Sequence, residues 1–182
     1  MKMRLAYCVA VVLVCACASL QAQRRFDERE LKATYLFQFA HFVEWPATSA
    51  GEPRAPFVIC ILGVDPFGRL IDELVAGEAV NDRPLKVVRV RRLDEVTRCD
   101  ILFVSRSEAS SVPQIMAAVR GRPILTVGDT EGFARSGGMI RFITERNMIR
   151  LRINMDESRA AGIAISSRLL RAADIVSTDE GR

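Results

Sequence analysis

The stretch FVICILGVDPFGRLIDELVAG, residues 57–77, decides the fold class. Its first seven residues form a short, unbroken apolar run, which is typical of a strand covered on both faces. A turn of five residues follows, and residues 69–77 then show a short helical pattern that ends at a glycine. Strand, tight turn and helix together make up the unit from which parallel α/β sheets are built.

The same alternation continues toward the carboxyl end. LKVVRVRRL, from Leu85, alternates as a strand does, and CDILFVS (99–105) and PILTVGD (123–129) are two further buried strands. Between them, SVPQIMAAVRG (111–121) predicts a short helix with Pro113 in its first turn and Gly121 as its stop. These segments predict a parallel sheet with helices packed on it.

The flanking segments complete the predicted domain. DERELKATYLFQFAHFVEWP (27–46) predicts an amphipathic helix with Asp27 as N-cap, beginning near Glu28 and ending before Pro46. GGMIRFITERNMIRLRIN (137–154) predicts an antiparallel hairpin with one wet face, and residues 156–176 predict one helix before a polar tail from Ser177. We therefore expect a single-domain α/β sandwich with a mostly parallel central sheet, an antiparallel C-terminal hairpin and flanking helices.

The amino terminus has the composition of a secretory signal peptide. Lys2 and Arg4 precede LAYCVAVVLVCACASLQA, which has no charge and ends in small residues. We expect cleavage after Ala22, with Ala18 as the alternative, leaving residues 23–182 as one periplasmic domain. Lipidation at Cys17 is a further alternative, because VCAC is a loose version of a lipoprotein box.

Loss of residues 1–22 changes both the charge and the cysteine count. The net charge falls from +4 to +2, which makes nucleic acid a poor candidate partner. Three of the five cysteines leave with this segment, so the mature chain keeps Cys60 and Cys99. An even pair in an exported protein suggests one disulfide, with two buried free thiols as the alternative.

The residues do not favour catalysis. His41 is the only histidine, so a histidine-based metal site is impossible, and neither the Cys-x-x-Cys nor the His-Glu-x-x-His spacing occurs. Ser166 and Ser167 have no histidine to activate them, and Gly-x-Ser-x-Gly is absent. An enzyme with Asp65 and Asp129 as acid and base is the least favoured hypothesis.

Three weaker candidate sites remain. Gly63, Asp65 and Asp129 follow strands and could share a ligand crevice, although turn-forming aspartates explain the same pattern. His41 and Trp45 lie at the end of the first helix and could contact a partner there. The alternatives are a partly exposed helix histidine for His41 and, for Trp45 with Pro46, a residue that closes the core. The arginines could cradle an anion or an acidic partner, with solvated strand faces as the alternative: Arg89 to Arg92, Arg141, Arg150 and Arg152.

The order of the segments is more specific than any one of them. KATYLFQFAHFVEWP, FVICILGVDPFG, CDILFVS, ILTVGD, GGMIRF and RINMDESRAAGIAISSRLLRAA follow one another in an arrangement that resembles the YfiR-like family of periplasmic proteins, over about residues 30–176. The resemblance implies an α/β sandwich that is not an enzyme and needs no cofactor. It also implies a partner, the periplasmic sensor region of a membrane-bound diguanylate cyclase or a similar sensor, whose repression lowers cyclic di-GMP.

The resemblance further implies that Cys60 and Cys99 form a structural disulfide. A second cysteine pair found in some members is absent here, so redox sensing is not carried over. A homodimer is plausible by family analogy alone. The alternative function is a periplasmic small-molecule binder or transport accessory, with the crevice at Gly63, Asp65 and Asp129 as its pocket.

Overall fold

A computed structural model describes residues 27–46 and 55–177 of the chain. The predicted signal peptide, residues 1–22, lies outside the described residues and stays a prediction. The helices are α1 (Glu28–Phe42), α2 (Arg69–Val75), α3 (Val112–Val119), α4 (Met155–Ala160) and α5 (Ser167–Leu170). The strands are β1 (Val43–Glu44), β2 (Phe57–Leu62), β3 (Ala79–Val80), β4 (Arg83–Val90), β5 (Ile101–Val104), β6 (Leu125–Gly128), β7 (Ile140–Glu145), β8 (Met148–Asn154), β9 (Ala164–Ile165) and β10 (Ala173–Val176).

One sheet carries the fold, and its strand order is β10-β8-β7-β6-β5-β2-β4-β3. The pairs from β4 through β2, β5 and β6 to β7 are parallel, and β10 is parallel to β8. The β7–β8 hairpin and the short β3–β4 hairpin are antiparallel. The mostly parallel sheet, the antiparallel hairpin and the flanking helices confirm the predicted α/β fold.

The two faces of the sheet carry separate cores. On one face, α1 and α2 bury Leu36, Phe39 and Ile71 in one cluster with Phe142 and Leu151 of the hairpin. On the other face, α3 forms a smaller cluster with residues of β2 and β5, namely Val112, Ile115, Met116 and Val119 against Cys60, Leu62, Leu102 and Val104. The strands between these two layers read as continuous apolar runs because both of their faces are covered.

Helix α1 begins and ends as its sequence predicts. The Asp27 side chain caps it by accepting from the backbone N–H groups of Arg29 and Glu30, at 2.9 and 3.3 Å. The helix ends at Phe42, and the chain turns into the short strand β1 before Pro46. Extended backbone ahead of a proline accounts for this boundary.

The hairpin β7–β8 turns at Arg146 and Asn147, whose φ angles of 48° and 59° are those of a two-residue turn. Its residues alternate between the core and the opposite side, as predicted, with Phe142 and Leu151 on the face that α1 covers. A second such turn, at Asn81 and Asp82, joins β3 to β4 and was not anticipated. Strand β4 consequently begins at Arg83, two residues before the predicted Leu85.

The prediction of one helix over residues 156–176 is wrong. Helix α4 ends at Ala160, and Gly162 has a φ of 69°, which a continuing helix does not allow. Strand β9 then pairs with β1, and β10 pairs with β8. Strand pairing with distant segments overrides the local helical periodicity here, and only the short helix α5 remains between the two strands.

Candidate functional site

Two of the three residues predicted to share a crevice, Gly63 and Asp65, line one cavity of about 560 Å³ at the carboxyl end of β2. The remaining lining comes from Val64, Arg89, Val90, Arg91, Ser107 and Glu108. Gly63 has a φ of 91°, and a β-carbon there would meet the Ser107 hydroxyl and lie 2.7 Å from Glu108 Oε1. Glycine is therefore required by both its backbone and its neighbours.

Asp65 is held by two hydrogen bonds at the mouth of this cavity. Its Oδ1 accepts from the Phe67 N–H at 2.7 Å, and its Oδ2 accepts from Arg89 Nε at 2.9 Å. Arg89 also donates to both oxygens of Asp72 at 2.7 Å, and these bonds lower the pKa of Asp72 and raise that of Arg89. Asp65 thus fixes the turn between β2 and α2.

Asp129 does not line that cavity and pairs with a different set of charges. Its Oδ2 lies 2.6 Å from Lys32 Nζ and 3.2 Å from Arg106 Nε. Lys32 is almost fully buried and also reaches Glu28 at 2.6 Å, and this hydrogen bond lowers the pKa of Glu28. The charges tie α1 to the end of β6, since Lys32 is on the helix and Asp129 follows the strand.

His41 and Trp45 do lie together, around a second cavity of about 610 Å³ at the carboxyl end of α1. His41 is exposed, and its ring packs edge-on against Phe37 with a centroid separation of 5.1 Å. Trp45 is half-buried against Phe57, with perpendicular rings 4.9 Å apart, and its Nε1 donates to the Asp100 carbonyl at 3.1 Å. Trp45 therefore closes the core and also contributes an edge to the cavity.

The ion pair between Arg83 and Asp100, next to Trp45, is not predicted by the sequence analysis. Arg83 donates to both carboxylate oxygens of Asp100 at 2.9 Å, and the Val58 N–H donates to Asp100 Oδ2 at 2.8 Å. Both charged residues lie at the amino-terminal ends of strands that flank β2. Their opposite charges are a readable signal only when the strand order is known, because 17 positions separate them in the chain.

The disulfide expected from the resemblance is present. Cys60 and Cys99 are bonded across a separation of 39 residues, with their α-carbons 5.8 Å apart. Cys60 lies within β2, and Cys99 lies just before β5 and Asp100. The bond therefore links the same two strands, β2 and β5, near the amino-terminal end at which the Arg83–Asp100 pair lies.

The remaining predicted residues, Arg150 and Arg152, are on the outer face of the hairpin. We use this name for the side of β7–β8 opposite α1, which carries Arg141, Ile143, Glu145, Met148, Arg150 and Arg152. Helix α1 covers Phe142 and Leu151 on the other side of the same strands. The structure thus places His41 and Trp45 on one side of the sheet and Arg150 and Arg152 on the other.

None of the helices in residues 27–46 and 55–177 is long and apolar enough to cross a membrane. Nor do these ranges bring three or more His, Cys, Asp or Glu side chains together in a group suited to a metal ion.

Comparison with known proteins adds a family. The family model DUF4154, described as YfiR/HmsC-like, matches residues 29–174. No curated protein matches the chain. Among solved structures, the chain is similar to "the ABC domain in complex with L-Trp" from Streptococcus pneumonia, at 11% identity and a TM-score of 0.49. That alignment covers 66% of this chain and 55% of the other, so this chain spans about half the length of that structure.

Proposed function

The chain belongs to the YfiR/HmsC-like family, and from that premise we propose that it binds and represses the periplasmic sensor region of a membrane-bound diguanylate cyclase. The family is regulatory rather than catalytic, and it is known for periplasmic regulators of diguanylate cyclases. The match over residues 29–174 carries the proposal, because it runs from the first turn of α1 into β10.

In this proposal the protein acts in the periplasm and has no catalytic activity of its own. Residues 1–22 would direct export and be removed, and residues 23–182 would form the active domain. Asp65 and Asp129 are the carboxylates best placed for acid and base chemistry, and each is paired with a cation. They follow two different strands, β2 and β6. This pairing argues against the hypothesis in which the two carboxylates act together as acid and base.

Repression by binding requires only a difference in affinity. A ligand shifts a two-state receptor by as much as it prefers one state over the other. About 5.5 kcal/mol of preference for the inactive sensor would move its population from 1:99 to 99:1. Release of the repressor would then restore cyclase activity and raise cyclic di-GMP.

We propose the region around His41 and Trp45 as the contact surface. An exposed histidine packed on Phe37, next to a half-buried tryptophan at the rim of a cavity, combines an aromatic anchor with accessible edges. Arg150 and Arg152 lie on the opposite side of the sheet, so one flat partner surface would not reach both pairs.

The deciding experiment measures cellular cyclic di-GMP in the native host with and without the gene. Deletion should raise cyclic di-GMP, and the wild-type gene supplied on a plasmid should restore the lower level. An unchanged level after deletion would refute the cyclase assignment while leaving the family and the fold as they are.

The contact surface is tested in the same strain. His41→Glu should lose repression, and in binding assays with the cyclase sensor domain it should weaken affinity at least about tenfold. Gln114→Glu is the matched control, because it also replaces a neutral side chain with a negative one at an exposed helical position, on α3. Equal effects of the two variants would show that His41 is not a specific contact.

The cavity at Gly63 and Asp65 favours a second candidate function, the binding of a small molecule. The polar groups there are largely committed to one another, which makes it the weaker candidate. A ligand that raises the melting temperature of the wild type, but not of Ser107→Trp, would support it. In that case deletion of the gene would leave cyclic di-GMP unchanged.

A further inference from the structure

A row of charged residues crosses the outer face of the hairpin. The strand registers place Gly128 of β6 beside Arg141 of β7, Arg141 beside Arg152 of β8, and Arg152 beside Asp174 of β10. The Phe133 ring bounds the row at one end, because it lies over Gly128 where a β-carbon would come within 2.7 Å of it. Two arginines thus stand side by side between an aromatic ring and a carboxylate.

Parts of these two arginine side chains are buried without an acceptor. Among the described residues, the Arg141 side chain makes no hydrogen bond and no ion pair, and the Nε groups of Arg141 and Arg152 are both buried without a partner, although each side chain as a whole is partly exposed. The one carboxylate in the row, Asp174, lies 4.0 Å from Arg152, at the limit of an ion pair. Buried donors are nearly always paired in folded proteins, and no described protein group fills this role for either Nε, so both donors are open to an acceptor from outside the chain.

The local field is also unbalanced. Like charges directly opposite each other on neighbouring strands destabilise a sheet. Burial, and after it the guanidinium of Arg152, lower the pKa of Arg141, and Arg135 and Arg106 add to the same effect. Glu131 is the carboxylate that acts against it.

We propose that Arg141 and Arg152 together bind one oxyanion of the phosphate class. Each guanidinium presents a planar fork of donors that matches the oxygens of such an anion. Both side chains are partly exposed, the Arg152 side chain by 39%, so one anion placed over the two forks would reach their outer N–H groups and separate the two positive charges. The site needs no enclosed cavity, and a small turn of each side chain toward the anion would bring its Nε within reach of an anion oxygen.

The charge and the number of oxygens favour phosphate over carboxylate. A phosphate group carries a charge of about −1.5 to −2 at neutral pH and offers three acceptor oxygens, which suits two adjacent cations. A carboxylate carries one charge and fills one fork. Both free phosphate and a phosphate ester have this chemistry, and titration with each of them distinguishes these two sources.

The test is a titration of the mature protein with sodium phosphate, at an ionic strength held constant with sodium chloride. The ¹H–¹⁵N signals of the arginine Nε–H groups report the binding directly. We expect the signals of Arg141 and Arg152, identified by their loss in Arg141→Gln and Arg152→Gln, to shift with saturation. Either variant should weaken binding at least about tenfold, because a charge-assisted pair of hydrogen bonds is lost.

Arg150→Gln is the matched control, because Arg150 is exposed on the same outer face, opposite Ile143. It should change the affinity less than about twofold if the site is local. Arg141→Lys keeps the positive charge but removes the planar fork of donors, so it should lose most of the binding. Equal losses in the Arg150 and Arg141 variants would overturn the proposal, because the effect would then be general surface charge.

Parallel titrations with glycerol phosphate and acetate complete the design. Saturation by both phosphate compounds identifies the phosphate group itself as the ligand, and saturation by inorganic phosphate alone identifies the free ion. Acetate that binds as tightly as phosphate would overturn the assignment to the phosphate class. The absence of saturation with every anion would overturn the site.

Discussion

Arg83 and Arg141 are both half-buried arginines on strands of one sheet, and their surroundings differ completely. The guanidinium of Arg83 donates to the carbonyls of Ala55 and Pro56 and to both oxygens of Asp100. The guanidinium of Arg141 donates to none of the described residues. Burial alone therefore does not reveal whether an arginine is structural, and the acceptors around it do.

The same contrast separates two regions of the molecule. At the amino-terminal edge of the parallel strands, the Cys60–Cys99 bond, the Arg83–Asp100 pair and the Trp45 hydrogen bond reinforce one another. On the outer face of the hairpin, Arg141 and Arg152 lie next to each other, and the Nε group of neither has an acceptor among the described residues. We expect substitutions in the first region to cost stability, and substitutions in the second to cost little or to add some.

The largest effect is expected from removal of the disulfide. The double variant Cys60→Ala, Cys99→Ala should lower the free energy of unfolding by about 4 kcal/mol, because a loop of about 39 residues is no longer closed in the unfolded chain. Urea denaturation measures this change. Wild type unfolded with a reductant should show the same loss, and two titratable thiols in the untreated native protein would contradict the prediction.

Loss of the Arg83 side chain should follow in size. Arg83→Ala should lower the free energy of unfolding by about 3 kcal/mol, because it leaves the carboxylate of Asp100 buried without its cation. The change is measured by the same urea titration. Arg69→Ala is the control: its side chain is 92% exposed, so the change should stay below about 0.5 kcal/mol. Similar values for the two variants would erase the distinction between the regions.

The hairpin should respond in the opposite direction. In buffer free of phosphate, Arg141→Met should raise the free energy of unfolding by about 1 kcal/mol, since it removes both a like-charge neighbour and a buried donor without an acceptor. Arg150→Met, on the same face, should stay within about 0.5 kcal/mol of wild type. A clear loss of stability in Arg141→Met would mean that Arg141 is structural after all.

The smallest effect concerns acid. The hydrogen bond from Lys32 lowers the pKa of Glu28 below its ordinary value of 4.5. The stability that this carboxylate contributes to the folded state is therefore complete above pH 4.5 and is lost as the pH falls through the lowered pKa. Glu28→Gln should remove a few tenths of a kcal/mol at pH 7, because the carboxylate is partly exposed, and clearly less at pH 2, because protonation removes the negative charge that Lys32 binds. Urea titrations at both pH values test this, and an equal loss at pH 2 would contradict it.

The sequence predicts most elements correctly where local chemistry and tertiary structure agree. The Asp27 cap uses only backbone groups two and three residues away, and the run of residues 57–62 is apolar enough to be buried on both faces. The segment after residue 160 fails because its helical spacing of apolar side chains is shared among β9, α5 and β10. Only the partners of those strands, β1 and β8, determine the outcome.

The candidate site was harder to predict than the fold, since it depends on strand order. Asp65 and Asp129 follow β2 and β6, and β5 lies between these strands, which puts the strands about 10 Å apart. The pairing of Arg83 with Asp100 and of Arg141 with Arg152 also depends on which strands are neighbours. The sequence shows which residue types are present, but it does not show which of them become neighbours in the folded sheet.

The pairing of β1 with β9 has a consequence for the time course of folding. Val43, directly after the first helix, finds its partner in Ile165, and α1 itself packs on Phe142 and Leu151 of the hairpin. A chain that emerges from its amino terminus thus cannot complete the core around its first helix until almost all of it has been made. Contacts so distant in sequence slow folding, and they keep the growing chain open until its last segments arrive.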